Sequence, residues 1–333
     1  MLSPVEITPW HWAGFIACVI FFLALDLGVF HRDARVVRVR EAMGWSFLWF
    51  SLAMAFAGLI KATRPRGEAI EFVTGYLIEL SLSMDNVFVI ALILAYFRVP
   101  KEQQHRVLFW GILGALLMRG AMIGLGAALI RQFHWMLYVM GGFLVFTGIK
   151  MLFVDDDGVH PEKNLFIRLA KRLFPISHDF DGQHFVTRLN GRRALTPLAL
   201  VLVMVETTDL IFAVDSIPAI FAVTQNTFIV FTSNVFAILG LRSLYFLLAG
   251  AIGYFRYLKV GLAIVLAFIG VKMLLGIWDI QIRTGVSLTV VLTLILLSMA
   301  ASIWAARHAP AEPPDTEPAE PPDTEPAEPP PLG

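Results

Sequence analysis

Nine stretches of this chain are each long and apolar enough to cross a bilayer, and no other feature limits the fold as strongly. A spanning helix needs about 20 mostly apolar residues, because the hydrocarbon layer is about 30 Å thick and a helix rises about 1.5 Å per residue. The stretches run Trp10–Phe30, Met43–Ile60, Glu71–Phe97, Val107–Ile130, Phe133–Phe153, Leu195–Val223, Phe228–Gly253, Phe255–Trp278 and Thr284–Ala306. The first is too aromatic, and is followed by too many others, to be a cleaved signal. The chain therefore reads as an all-α polytopic membrane protein with nine spans. Its 16% of charged residues, well under the quarter usual in soluble domains, agrees.

Basic residues gather between the spans at 32–40, 98–106, 163–193 and 256–259, and Arg307 follows the last span; the alternate connections hold only Lys61, Arg64, Arg66, Arg131 and Arg283. Short basic loops stay in the cytoplasm, so the N-terminus is expected outside and the C-terminus inside. The connection 154–194 mixes basic residues with acids, including Asp155, Asp156 and Asp157, and reads as a solvated cytoplasmic loop. The tail 309–333 repeats PPDTEPAE twice, has almost nothing apolar to bury, and is expected to be disordered. Equal numbers of Lys plus Arg and Asp plus Glu, 26 each, give no global field that would attract nucleic acid. The single cysteine, Cys18, excludes an internal disulfide or a thiolate metal cluster.

An internal repeat organises the spans. Glu79-Leu-Ser-Leu-Ser-Met-Asp85-Asn86 parallels Asp209-Leu-Ile-Phe-Ala-Val-Asp215-Ser216. Arg119 parallels Arg242, and Phe146-Thr-Gly-Ile-Lys150 parallels Phe268-Ile-Gly-Val-Lys272. Each unit holds three spans, an odd number, so the second unit crosses in the opposite sense to the first. The expected organisation is spans one and two (1–66), a first unit (67–153), the loop (154–194), a second unit (195–278), a last span (279–308) and the tail (309–333). A site shared by inverted units lies near the bilayer midplane.

Five carboxylates, Glu79, Asp85, Glu206, Asp209 and Asp215, fall at that depth against two arginines, Arg119 and Arg242. Charges there are costly and face a polar interior or an ion path. Arginine–carboxylate pairs that merely lock helices are the plainer reading, but the acids outnumber the arginines. Oxygen ligands suit a hard or borderline divalent cation, with Asp85 and Asp215, related by the repeat, expected at the centre of the site and Asp209, Glu79, Asn86 and Ser216 completing the oxygen shell. Met84, beside Asp85, would tilt the preference towards Mn²⁺. Positions six apart on a straight helix are rotated by about 120°, so convergence of both acids of one motif requires a helix break, for which Pro218 is the candidate. Glu206 is a candidate proton carrier, Arg119 and Arg242 competing cations for the empty site, and Asp26 either an interfacial partner of His31 or a pathway residue. No catalytic motif occurs, and the chain is not read as an enzyme.

The two acidic motifs, with Leu23-Ala-Leu-Asp26-Leu-Gly-Val-Phe-His31-Arg32, resemble the TerC family of bacterial inner-membrane proteins, and most closely its Alx-like branch. The resemblance spans roughly residues 10–306. It implies a small transporter with manganese export as the activity and an association with tellurium resistance, while the surplus of buried acids makes protons a possible coupling ion. The family's acidic motif falls here on Glu79, Asp85, Asn86, Glu206, Asp209, Asp215 and Ser216. A competing expectation is a membrane scaffold or partner-binding subunit of a metal or tellurite stress-response complex, docking through the loop and tail.

Overall fold

The computed structural model describes residues 7–25, 39–153, 162, 164–177, 179–189, 191–248, 257–280 and 282–308. Its helices are α1 (Pro9–Leu25), α2 (Val39–Thr63), α3 (Arg66–Tyr96), α4 (Lys101–Gln132), α5 (Met136–Phe153), α6 (Leu165–Leu173), α7 (Pro197–Phe221), α8 (Thr227–Leu248), α9 (Leu258–Leu275) and α10 (Thr284–His308). Eight of these, α2 to α5 and α7 to α10, are long and apolar enough to span, and α1 is a shorter apolar helix. The all-α polytopic reading holds. Asp26, His31, the triple-aspartate run and the tail lie outside the described residues.

Helices and apolar runs do not end together. α4 begins at Lys101, well before the apolar stretch at Val107, because Pro100 takes an extended ψ of 140° and frees the next residue to start a helix. Pro65 does the same for α3, also at ψ 140°. The polar first turns of α4 are helical without being apolar, so the helix starts before the hydropathy signal does.

The units interlock rather than stand apart. α3 and α4 each pack on both α7 and α8, and the most extensive contact in the molecule joins α5 to α9. Along that seam the backbones touch. A Cβ on Gly148 would lie 2.6 Å from the Ala263 carbonyl oxygen, and one on Gly270 would lie 2.6 Å from that of Gly141. Small residues permit this approach, and van der Waals packing holds it in a medium that gives helices no hydrophobic reason to associate. The two contacts run antiparallel. They also exchange residues that the sequence repeat pairs, Gly148 for Gly270 and Gly141 for Ala263. α2 covers α8 and α3, and α10 covers α9 and α3.

The connection 154–194 departs from the simple solvated loop. After the first described residues it forms amphipathic α6, capped by Asn164, whose side chain accepts from the amides of Phe166 and Ile167. A two-stranded antiparallel hairpin follows, β1 (Val186–Leu189) and β2 (Arg192–Leu195), turning at Gly191 with φ +78°. Ile167 is buried in the core formed by the starts of α4 and α7, with Phe180 and Phe185 packed against it. The sequence reading missed this because a nine-residue helix carries too short an apolar period to stand out among long spans.

Candidate functional site

Arg119, midway along α4, is almost fully buried at 1% exposure, and the polar centre of the protein is built around it. Its Nη2 donates to Asp209 Oδ1 at 2.7 Å and its Nε to Asp209 Oδ2 at 3.1 Å, the two-pronged geometry by which a guanidinium grips a carboxylate. Nη1 donates to Glu79 and, at 3.4 Å, to Ser216 Oγ. Asn86 Nδ2 adds a donor to Asp209 Oδ1 at 3.3 Å. One arginine thus joins acids from both repeat units.

Helical spacing explains which residues arrive there. Glu79 and Asn86 on α3 are seven apart, as are Asp209 and Ser216 on α7, and seven residues make almost two whole turns. Each motif therefore presents its first acid and its small polar residue on one face, towards Arg119. Ser83, also fully buried, falls on the Glu79 and Asn86 face. The second aspartates do not share that face. Asp215 accepts instead from Thr147 Oγ1 of α5 at 3.1 Å, and neither it nor Asp85 is a partner of Arg119.

Two expectations change accordingly. No break brings Glu79 and Asp85 together, since α3 is helical throughout Arg66–Tyr96. α7 likewise continues through Pro218, which sits in its last turn. A proline so near the end costs one interior bond and does not redirect the acids. Arg242 is buried in α8, and Glu79 and Asp209 are hydrogen bonded to Arg119. Among the described residues no three His, Cys, Asp or Glu side chains are grouped to hold a metal by themselves. Any ion at the centre would share it with an arginine.

Several oxygens here have no hydrogen-bond partner among the described residues although they are buried: Glu79 Oε2, Ser83 Oγ, Asn86 Oδ1 and Glu206 Oε2. Glu206 lies one turn before Asp209, and its carboxylate rests on Gly114 of α4, where a Cβ would overlap it. The glycine is what admits the acid.

Asn234 on α8 was not singled out from the sequence. It is 1% exposed, and neither Oδ1 nor Nδ2 has a hydrogen-bond partner among the described residues. Phe231 meets Gly120 of α4, and Ile238 clusters with Ile112 and Ala115 of the same helix. Asn234, at i+3 and i−4 from these, shares their face and stands level with the Arg119 turn. An asparagine in the middle of a span is the signal that would have found it.

Residues 65–309 match the family described as "Integral membrane protein TerC family". The chain belongs to the TerC family. The resemblance first carried by the acidic motifs therefore holds, and this TerC protein is a multi-pass integral membrane protein. It is 53% identical over 309 residues to "Uncharacterized membrane protein STKORF319" of Myxococcus xanthus, covering 92% of this chain and 96% of that one. It is 45% identical over 306 residues to "Putative membrane-bound redox modulator Alx" of Escherichia coli K12, covering 89% and 95%. A protein of the same name from Photorhabdus laumondii is 42% identical over 314 residues, covering 92% and 98%. No solved structure matches the chain.

Proposed function

We propose that this protein is a secondary transporter of a divalent cation, an exporter of Mn²⁺ in the bacterial inner membrane with its N-terminus outside, working through the centre at Arg119. The observation that carries the reading is the set of buried oxygens around a charged core that have no hydrogen-bond partner among the described residues. Buried polar atoms are costly unless hydrogen bonded, and a native centre that leaves several open is built for water, protons or an ion. Charge points the same way. Arg119 supplies one positive charge between Glu79 and Asp209, with Glu206 a turn away. A transported cation, or protons moving against it, would complete the balance.

In this reading Arg119 holds the empty site together. An entering cation competes for Asp209 and Glu79, and the released guanidinium marks the loaded state. Asn86, Ser216 and Ser83 offer neutral oxygens to the ion, and Glu206 takes or gives the proton. Asp85 and Asp215, off the Arg119 face, belong to the approach on either side, as inverted units would place them. A direct thiol redox role, suggested by the name of the relatives, is disfavoured by the lone Cys18. An ionic route to altered redox state fits better.

The test is Mn²⁺ flux into proteoliposomes under an imposed pH gradient, with Mg²⁺ and Ca²⁺ as competitors. Flux by the native protein that collapses in Asp209→Asn and in Asn86→Ala, with folding verified, supports the proposal. Absence of flux in the native protein would overturn it.

A further inference from the structure

The chain carries a helix whose exposed face no other part of the described protein covers. On α6, Leu165, Leu169 and Leu173 stand at i, i+4 and i+8 with Phe166 beside them, and their exposures run from 49% to 65%. Next to this stripe lie Arg168, Lys171 and Arg172, all exposed. Among the described residues none of the three forms a salt bridge. Ile167 points in a third direction, into the core. The helix is thus fastened along one edge, basic along another and bare and apolar along the third.

Its position identifies what covers the apolar edge. Ile167 packs in a cluster with Leu198, Val201, Met204 and Val205 at the start of α7, and Asn164 Nδ2 lies 3.3 Å from Met204 Sδ. Met204 is seven residues into α7, about 10 Å along its axis. α6 therefore sits against the first turns of a spanning helix, at the level where headgroups meet acyl chains. Interfacial helices have this composition, short and strongly amphipathic with Lys and Arg on the polar side.

We propose that α6 is a lipid-binding helix, embedding Leu165, Phe166, Leu169 and Leu173 in the leaflet it borders and setting Arg168, Lys171 and Arg172 on anionic headgroups. The recognised partner is a bilayer surface carrying acidic phospholipid. The positive edge supplies the preference for acidic lipid, and the apolar edge supplies the immersion. This inference stands independently of what the protein transports.

The lone native cysteine makes the test direct. In the full chain with Cys18→Ser, a nitroxide is placed at Leu169→Cys or at Arg168→Cys, and the protein is reconstituted in phosphatidylcholine bilayers with or without phosphatidylglycerol. Collisional relaxation by oxygen, which concentrates in lipid, is compared with that by a water-soluble nickel chelate. The expected result is oxygen dominating at Leu169, nickel dominating at Arg168, and a rise in nickel access at Leu169 when phosphatidylglycerol is omitted. Equal nickel access at both positions would place the face in water and overturn the proposal. Shielding of Leu169 from both reagents would show protein, a second copy or another partner, in place of lipid, and would also overturn it. Immersion indifferent to phosphatidylglycerol would remove the acidic-lipid preference.

Discussion

The α5–α9 seam and the Arg119 centre solve opposite problems within one membrane domain. At the seam glycines bring backbone against backbone, and Gly148 and Gly270 leave no room for a Cβ. At the centre a guanidinium satisfies two carboxylates while neighbouring oxygens remain open. The seam is closed by shape, whereas the centre keeps several buried oxygens without a hydrogen-bond partner among the described residues.

The sharpest break of that contrast is Arg119→Leu, which strands Glu79 and Asp209 without a counter-charge. Loss of one partner of a buried ion pair costs about 3–5 kcal/mol, so the melting temperature in detergent should fall steeply. Replacing Arg119, Glu79 and Asp209 together with apolar residues should restore much of that stability while flux stays lost. Next comes the seam. Gly270→Val forces a side chain into the Gly141 carbonyl, and overpacking of this kind costs about 1–3 kcal/mol, read as a lower melting temperature without the central charges being touched.

Smaller in stability but large in flux is Gly114→Ala, which displaces the Glu206 carboxylate from its seat. Transport should drop and lose its response to a pH gradient, whereas Gly124→Ala, facing open space on the same helix, should change neither. The smallest stability effect is expected for Asn234→Leu. Its amide has no hydrogen bond to lose among the described residues, so the melting temperature should hold or rise while Mn²⁺ flux falls. A clear loss of stability in Asn234→Leu would place that side chain in the packing and outside the ion path.

Much of the centre was legible from residue types. Acids and arginines are so costly at midplane depth that Glu79, Asp209 and Arg119 could be named without coordinates. What the structure changes is the helix break expected to bring both acids of a motif together, since α3 is continuous. Six residues make a poor repeat of a 3.6-residue helix, while seven nearly close two turns, so the partner of Glu79 on its own face is Asn86, and that of Asp209 is Ser216. The spacing was visible, but the expected helix break obscured it. Asn234 escaped because no charge announced it, and α6 because its apolar period is short.

The amino-acid sequence by itself determined that this protein is a bundle of spanning helices with a repeated acidic motif, because the cost of exposing polar backbone to lipid leaves a long apolar run no alternative to the helix. The tertiary structure alone decided that Arg119 joins Glu79 of one acidic motif to Asp209 of the other. It also decided that glycines of α5 meet the backbone of α9, and that a short helix between the units keeps an apolar face bare. Those outcomes depend on which helix faces meet, a property of rotation and register between elements far apart in the chain, and hydropathy along one strand of residues carries no information about either.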